Sequence, residues 1–247
     1  VYKTLADEIL PQLRRARLTA NYDVIGRSDE EINEAFDTDA KVLSVEELLY
    51  AATLTNDNAR KEAIYKKTVE LYPNDCRAYN NLGMMAYAAG DKAAAENYFK
   101  QALSKNANSA EANTNMGLCE LVKGNVANAE TYLSKSTGAN TANEALGNLY
   151  IKQGQYDRAV NAFGDTKTNS AALAQILAKD YNKAKNTLNA VKNPDAYTDY
   201  LMAIVGARTN NADLVKSSMA KVAQKDAALA AKAQNDREFA KYANEVK

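Results

Sequence analysis

A unit of sequence that recurs along the chain constrains the fold more than any other feature. Residues 77–107 contain two apolar stripes, one on each side of Gly90-Asp91. The stripes consist of Tyr79, Leu82, Gly83 and Ala86 in the first half and of Ala95, Phe99 and Ala102 in the second. This spacing places side chains on one face of a helix. The stretch therefore predicts two helices joined by a tight turn.

Glycine in the middle of the first predicted helix indicates how the two helices meet. Gly83 costs a helix roughly 1 kcal/mol relative to alanine, so its presence there needs a packing reason. The simplest reason is a close approach of two helix axes. We therefore expect the first helix to lie unusually near the helix that contains Ala95.

The same unit returns after a fixed number of residues. Gly83 aligns with Gly117 and Gly90 aligns with Gly124, because 117 − 83 and 124 − 90 both give 34. The same shift aligns Ala95, Tyr98 and Phe99 with Ala129, Tyr132 and Leu133. A period of 34 residues is the period of the tetratricopeptide repeat.

Residues 145–163 carry the resemblance to that family most fully. Their sequence, ALGNLYIKQGQYDRAVNAF, closely resembles the tetratricopeptide consensus. The resemblance implies pairs of antiparallel helices that stack into a right-handed superhelix, with a concave groove that binds other proteins. The predicted fold is thus an all-α solenoid of about five helical pairs, preceded by a short helix–strand remnant.

Three regions follow from this pattern. Residues 44–225 are predicted to form the array, and residues 226–247 are predicted to form a helix that caps its final apolar face. Residues 1–43 do not fit the repeat and are assigned to the remnant of an upstream domain. The repeat shortens towards the C-terminus, because Ala159 and Ala184 are only 25 residues apart (184 − 159 = 25), which predicts a short helix at 170–179.

Residues 17–25 alternate between apolar and polar side chains, which is typical of a half-buried strand. A lone strand needs a pairing partner, which we expect upstream of Val1 or in a second copy of the chain. This helix-then-strand beginning resembles the end of an outer-membrane-protein-A-like domain in envelope proteins of Gram-negative bacteria. The resemblance implies a periplasmic or outer-membrane-associated location. Since the sequence begins at Val1, without a methionine and without a signal-like apolar segment, we expect it to be a processed or excised piece.

Composition narrows the classes of function. The chain has 31 basic and 31 acidic side chains and no net charge, so no global field attracts nucleic acid. No apolar run approaches the roughly 18 residues of a membrane span. The absence of histidine excludes Ser-His-Asp triads and histidine-dependent metal sites. No catalytic residue, metal or cofactor is therefore predicted.

The two cysteines are expected to be free. In stacked repeats Cys76 opens one first helix, whereas Cys119 lies well along the next one. That offset corresponds to roughly 15 Å along the helix axis, which is too far for a disulfide bond. Cys119 is expected to be buried.

The resemblance implies a protein or peptide partner in the concave groove. The residues expected to line it lie on the first helices, one face away from the packing stripe. They are Arg77, Asn80, Met84 and Tyr87, then Thr114, Leu118 and Leu121, then Glu144, Asn148, Ile151 and Lys152, and finally Tyr197, Tyr200, Ile204 and Arg208. Tyrosine and exposed apolar side chains suit an interaction surface. Met84 and Leu118 stand where family members that capture a C-terminal carboxylate have polar residues, which disfavours that mode.

Other interpretations stay open at this point. The array could be a structural spacer or a self-assembly module that positions an upstream envelope domain, with a homo-oligomer formed through the predicted strand. The groove could be filled by the chain's own N-terminal segment or by a second copy. A catalytic subunit with a cryptic carboxylate site is a third interpretation.

Overall fold

The fold was analysed in a computed structural model, which describes residues 2–9 and 26–246. Near the N-terminus, α1 (Tyr2–Thr4) continues as a π-helical turn over Leu5–Ile9. The predicted strand at 17–25 lies outside the described residues, and so does the pairing expected of it.

Residues 26–246 are helical throughout, apart from their connections. The α-helices are α2 (Asp29–Asp39), α3 (Val45–Ala51), α4 (Asn58–Leu71), α5 (Cys76–Ala88), α6 (Lys92–Lys105), α7 (Ala110–Lys123), α8 (Val126–Leu133), α9 (Ala142–Lys152), α10 (Tyr156–Phe163), α11 (Asn169–Leu177), α12 (Tyr181–Asn189), α13 (Ala196–Arg208), α14 (Ala212–Lys225) and α15 (Ala227–Ala233). Short 3-10 helices cover Ala40–Val42 and Arg237–Tyr242. From α3 to α14 the helices form six successive pairs, whereas the sequence predicts about five. Odd-numbered helices come first in each pair.

Helix starts follow the capping signals of the sequence. The side chain of Ser28 accepts the backbone N–H of Glu31, and the side chain of Ser44 accepts that of Glu47. In both boxes the glutamate returns a hydrogen bond to the serine backbone, so two otherwise unpaired donors are satisfied. The predicted short helix near 170 is also present, since α11 has only 9 residues.

The last five pairs share one turn between their two helices. A residue with positive φ closes the first helix in each: Gly90, Gly124, Gly154, Lys179 and Asn210. The N–H of the next residue bonds back to a carbonyl of the last helical turn, for example from Asp91 to Ala86 at 3.0 Å. This arrangement is the Schellman motif, which satisfies carbonyl groups at the end of a helix. Because the last five pairs share this turn, their two helices are joined in the same way even though the number of residues between successive repeats varies.

The mid-helix glycines have the packing reason expected of them. A Cβ atom on Gly83 would lie 2.5 Å from Cε1 of Phe99, and one on Gly117 would lie 2.5 Å from Cγ of Leu133. Gly147 meets the ring of Phe163 in the same way, with 2.6 Å to Cε2. In each of these three pairs a large side chain of the second helix thus lies directly against the first helix.

The core is distributed along the array as local clusters between neighbouring helices. Phe99, Met116 and Cys119 belong to one such cluster, and both thiols are free, with Cys119 buried. The predictions for the cysteines are therefore confirmed. In the part of the chain that the structure describes, no helix is both long and apolar enough to cross a membrane.

Gly117→Ala should destabilise the fold by about 1–3 kcal/mol, because the added methyl group overpacks the contact with Leu133. Urea unfolding followed by circular dichroism measures this. The matched control is Gly117→Ala combined with Leu133→Ala, in which the clash is absent and the two changes should couple favourably. A single variant as stable as the parent would contradict the close-packing account.

Lys179→Gly should stabilise the protein by about 0.5–1 kcal/mol. Lys179 adopts a φ of 66°, which costs a residue with a Cβ atom roughly 1–2 kcal/mol, while the extra freedom of glycine offsets part of the gain. Asn210→Gly is the control, and its effect should be smaller because asparagine tolerates this region. Thermal unfolding curves of both variants distinguish the outcomes. A lower Tm for Lys179→Gly would contradict the strain.

Candidate protein-binding groove

The first helices present one repeat position to the concave side of the array. It lies six residues before the positive-φ residue, since 90 − 84, 124 − 118, 154 − 148, 179 − 173 and 210 − 204 all give 6. The residues at this position are Met84, Leu118, Asn148, Leu173 and Ile204. In α3 the equivalent residue is Tyr50, which precedes Met84 by 34 (84 − 50 = 34).

A groove with a volume of about 540 Å³ opens along α5, α7, α9 and α11. It is lined by Met84, Tyr87, Phe99, Asn115, Leu118, Cys119, Leu121, Val122, Asn148, Ile151, Lys152 and Leu173. This volume lies in the range of pockets that bind ligands, and such pockets combine apolar walls with a few polar groups. The groove has that composition.

Several large apolar side chains of the groove are open to solvent. Met84 is 50% exposed, Tyr87 is 42% exposed and Val122 is 59% exposed. Single exposed apolar residues are common on proteins, but a contiguous apolar patch marks an interaction surface. These three residues come from two neighbouring first helices and line one cavity, so they form such a patch.

Two polar side chains of the groove are hydrogen-bonded within the chain, and its thiol is buried. Asn115 donates from Nδ2 to Oδ1 of Asn80 at 2.9 Å, and Asn148 donates to the carbonyl of Glu144 at 3.0 Å. Burial raises the pKa of the Cys119 thiol, and the nearby charge of Glu96 adds to the effect. A thiol with a raised pKa stays protonated near neutral pH, so Cys119 contributes an apolar wall.

At the C-terminal end, the chain itself covers the predicted groove residues. Arg208 donates from Nε to Oε2 of Glu238 at 2.9 Å. The hydroxyl of Tyr200 donates to a carboxylate oxygen of Asp236, and its ring meets that of Phe239 edge to face, with centroids 5.5 Å apart. At this end the C-terminal segment therefore covers residues that the sequence predicted to line the groove, whereas filling by the N-terminal segment or by a second copy stays a prediction.

Three further predicted residues are also removed from the open surface. Ile204 is 8% exposed and belongs to the same cluster as Phe239. Thr114 is fully buried, and its hydroxyl donates to the carbonyl of Ala110. Asn80 is also buried. The prediction placed all of these side chains on the concave surface, but packing against neighbouring helices or the C-terminal segment covers them.

The remaining predicted residues lie on the surface outside the cavity. Arg77 forms ion pairs with Asp75 at 2.6 Å and with Glu46 at 3.0 Å. Glu144 is exposed. Tyr197 is 40% exposed and stacks on Tyr200, with ring centroids 6.3 Å apart.

The predicted set and the cavity overlap in part. The shared residues are Met84, Tyr87, Leu118, Leu121, Asn148, Ile151 and Lys152. The prediction missed Phe99, Asn115, Cys119, Val122 and Leu173. The repeat register would have found two of these: Leu173 holds the position of Met84, and Val122 holds that of Lys152, which follows Gly147 as Val122 follows Gly117 (152 − 147 = 5 and 122 − 117 = 5).

Comparison with known proteins agrees with this geometry. Two family models, both described as tetratricopeptide repeat, match residues 80–144 and residues 144–166. The chain carries tetratricopeptide repeats. Arrays of such repeats generally mediate protein–protein interaction, typically as non-catalytic scaffolds.

Solved structures share most of the fold. A tetratricopeptide repeat protein from Parabacteroides merdae aligns with a TM-score of 0.55 at 14% identity, over 88% of this chain and 90% of that one. PilW, a type IV pilus biogenesis factor, gives 0.58 at 20% identity, over 79% and 96%. A chain of the APC/C hetero-tetramer Cut9–Hcn1 gives 0.66 at 15% identity, over 87% and 44%. No curated protein matches the sequence significantly.

These comparisons confirm the predicted all-helical tetratricopeptide solenoid. At such identities the likeness is one of fold. The resemblance of the N-terminal residues to an outer-membrane-protein-A-like domain stays a prediction.

Alkaline pH should weaken the contact between the C-terminal segment and α13. Burial raises the pKa of Tyr200, and the hydrogen bond to the Asp236 carboxylate raises it further. The folded state therefore holds this proton more tightly than the unfolded chain, whose tyrosine pKa is about 10. The stabilisation is complete below that pH and is lost as pH rises towards the folded-state value.

Tyr200→Phe should accordingly reduce the fall of Tm between about pH 9 and pH 11.5. The parent protein, measured in the same buffers, is the control. Identical pH profiles for Tyr200→Phe and the parent protein would contradict the assignment.

Proposed function

We propose that the chain is a non-catalytic interaction module whose groove binds an extended segment of a partner protein. The observation that carries the proposal is the apolar groove of about 540 Å³ along four successive first helices. In this proposal residues 44–225 form the binding array and residues 226–247 cap it. Of the residues predicted from the sequence to line the groove, those that line the cavity form the proposed binding site.

The open length of the groove limits the size of the bound segment. Neighbouring packed helices lie about 8–10 Å apart, so the three steps from α5 to α11 span roughly 25–30 Å. An extended peptide rises about 3.3 Å per residue and would cover that length with about eight residues. Beyond the open stretch, Tyr50 donates to Asp29 at the N-terminal side, and Arg208 is paired with Glu238 at the C-terminal side.

The test uses peptides selected from a random display library on the intact chain. Replacing Met84 and Tyr87 together by alanine should weaken the binding of the selected peptides by roughly tenfold or more, because the apolar side chains that anchor an interface cost over about 1 kcal/mol when truncated. Fluorescence anisotropy measures affinity, and circular dichroism verifies that helicity is kept.

Val42→Ala is the matched control, because Val42 is as exposed as Met84, at 50%, but lies outside the groove. It should not change affinity. Peptides that bind the double variant as tightly as the parent would contradict the groove assignment. If no peptide is selected and the mass in solution is a multiple of 26.9 kDa, the structural-spacer interpretation with self-assembly becomes the better one.

A location in the Gram-negative cell envelope is the second part of the proposal. It is supported by the resemblance of the N-terminal sequence, and PilW is a type IV pilus biogenesis factor with the same fold. Cell fractionation with detection of the chain in the periplasmic, membrane and cytoplasmic fractions tests it. Recovery in the cytoplasmic fraction would contradict it.

A further inference from the structure

One basic side chain lies in the apolar groove without an ion-pair partner among the described residues. Lys152 is the charged residue among those that line the cavity, and it is exposed at the C-terminal end of α9. Within residues 26–246, no side chain forms an ion pair or hydrogen bond with it. The other two basic residues of the predicted set are neutralised internally, Arg77 by Asp75 and Arg208 by Glu238.

The chain shows what a cation at this position binds. Lys152 and Arg208 are equivalent, because each lies two residues before the positive-φ residue of its pair (154 − 152 = 2 and 210 − 208 = 2). At Arg208, both oxygens of the Glu238 carboxylate accept hydrogen bonds from the guanidinium. The next residue, Phe239, packs its ring on Tyr200 of the same first helix. At the end of the array, a carboxylate thus binds this repeat position while the large apolar side chain that follows it packs elsewhere on the same first helix.

The surroundings of Lys152 also combine a cation with apolar side chains, although from other repeat positions, because Glu144 is the residue equivalent to Tyr200 (154 − 144 and 210 − 200 both give 10). Leu118, Ile151 and Leu173 line the same cavity from three successive first helices and provide the apolar site. Lys152 provides the positive charge. By charge complementarity, an acidic ligand gains from this groove and a basic one is repelled.

We propose that the groove selects a peptide segment in which a carboxylate lies next to a large apolar residue, with the carboxylate paired to Lys152. The apolar side chain enters the site formed by Leu118, Ile151 and Leu173. This inference rests on the proposed function and adds the chemistry of its partner. The effect on affinity is moderate, since an exposed ion pair contributes little by itself, but it sets the preferred sequence.

The experiment pans one random heptapeptide display library on four intact proteins in parallel. They are the parent, Lys152→Glu, Lys185→Glu and the Met84→Ala, Tyr87→Ala double variant. Lys185 is the matched control, because it is an exposed lysine of α12 outside the cavity. Sequencing gives the residue preferences, and anisotropy with synthetic Glu, Gln and Lys versions of one selected peptide gives affinities.

The expected result has three parts. Peptides selected on the parent and on Lys185→Glu combine an acidic residue with an adjacent large apolar one. Selection on Lys152→Glu loses the acidic preference or reverses it to a basic one. The Glu peptide binds the parent roughly fivefold more tightly than the Lys peptide, and this order is reversed on Lys152→Glu.

Two other results overturn the inference at different levels. Apolar peptides that show no acidic preference, yet are lost on the double variant, leave the groove function standing and overturn the role of Lys152. Peptides that are unaffected by the double variant, or failure to select any, overturn the groove function and the inference with it.

Discussion

The contact between a first-helix glycine and a large second-helix side chain determines most of this structure. Because Gly83 and Gly147 lack a Cβ atom, the rings of Phe99 and Phe163 can lie directly on the helix backbone. Each contact fixes the rotation of the first helix within its pair. The residue that follows the glycine, such as Met84, then has to face the concave side, where it lines the groove.

Towards the C-terminus the same position is kept with different residues. Ala172 and Ala203 stand where the earlier pairs have glycine, and the facing residues are the aliphatic Leu188 and Met219 (188 − 172 and 219 − 203 give 16, as 99 − 83 does). A methyl group is thus accommodated where the facing side chain has no ring, although a facing leucine does not by itself require one, since Leu133 faces Gly117.

How much the sequence predicts depends on how local the cause is. The helix pairs and their turns follow from spacing within one unit, and the cavity residues Met84 and Leu118 follow from a repeat position. The ion pair of Arg208 does not follow from the repeat, because its partner Glu238 lies 30 residues further along the chain. The need to cover the final pair predicts a cap over residues 226–247, but no repeat register covers these residues, so their contacts with individual side chains of α13 do not follow from the sequence.

The two ends of a repeat array have to be covered, and here that requirement also shapes recognition. An uncovered final pair exposes apolar surface, and the segment around Phe239, which is 1% exposed, covers it at α13. In doing so Glu238 neutralises Arg208, which removes one cation from the concave side. The equivalent cation in the middle of the array, Lys152, stays open beside an apolar site. In the proposed function, one repeat position therefore serves stability at Arg208 and selectivity at Lys152.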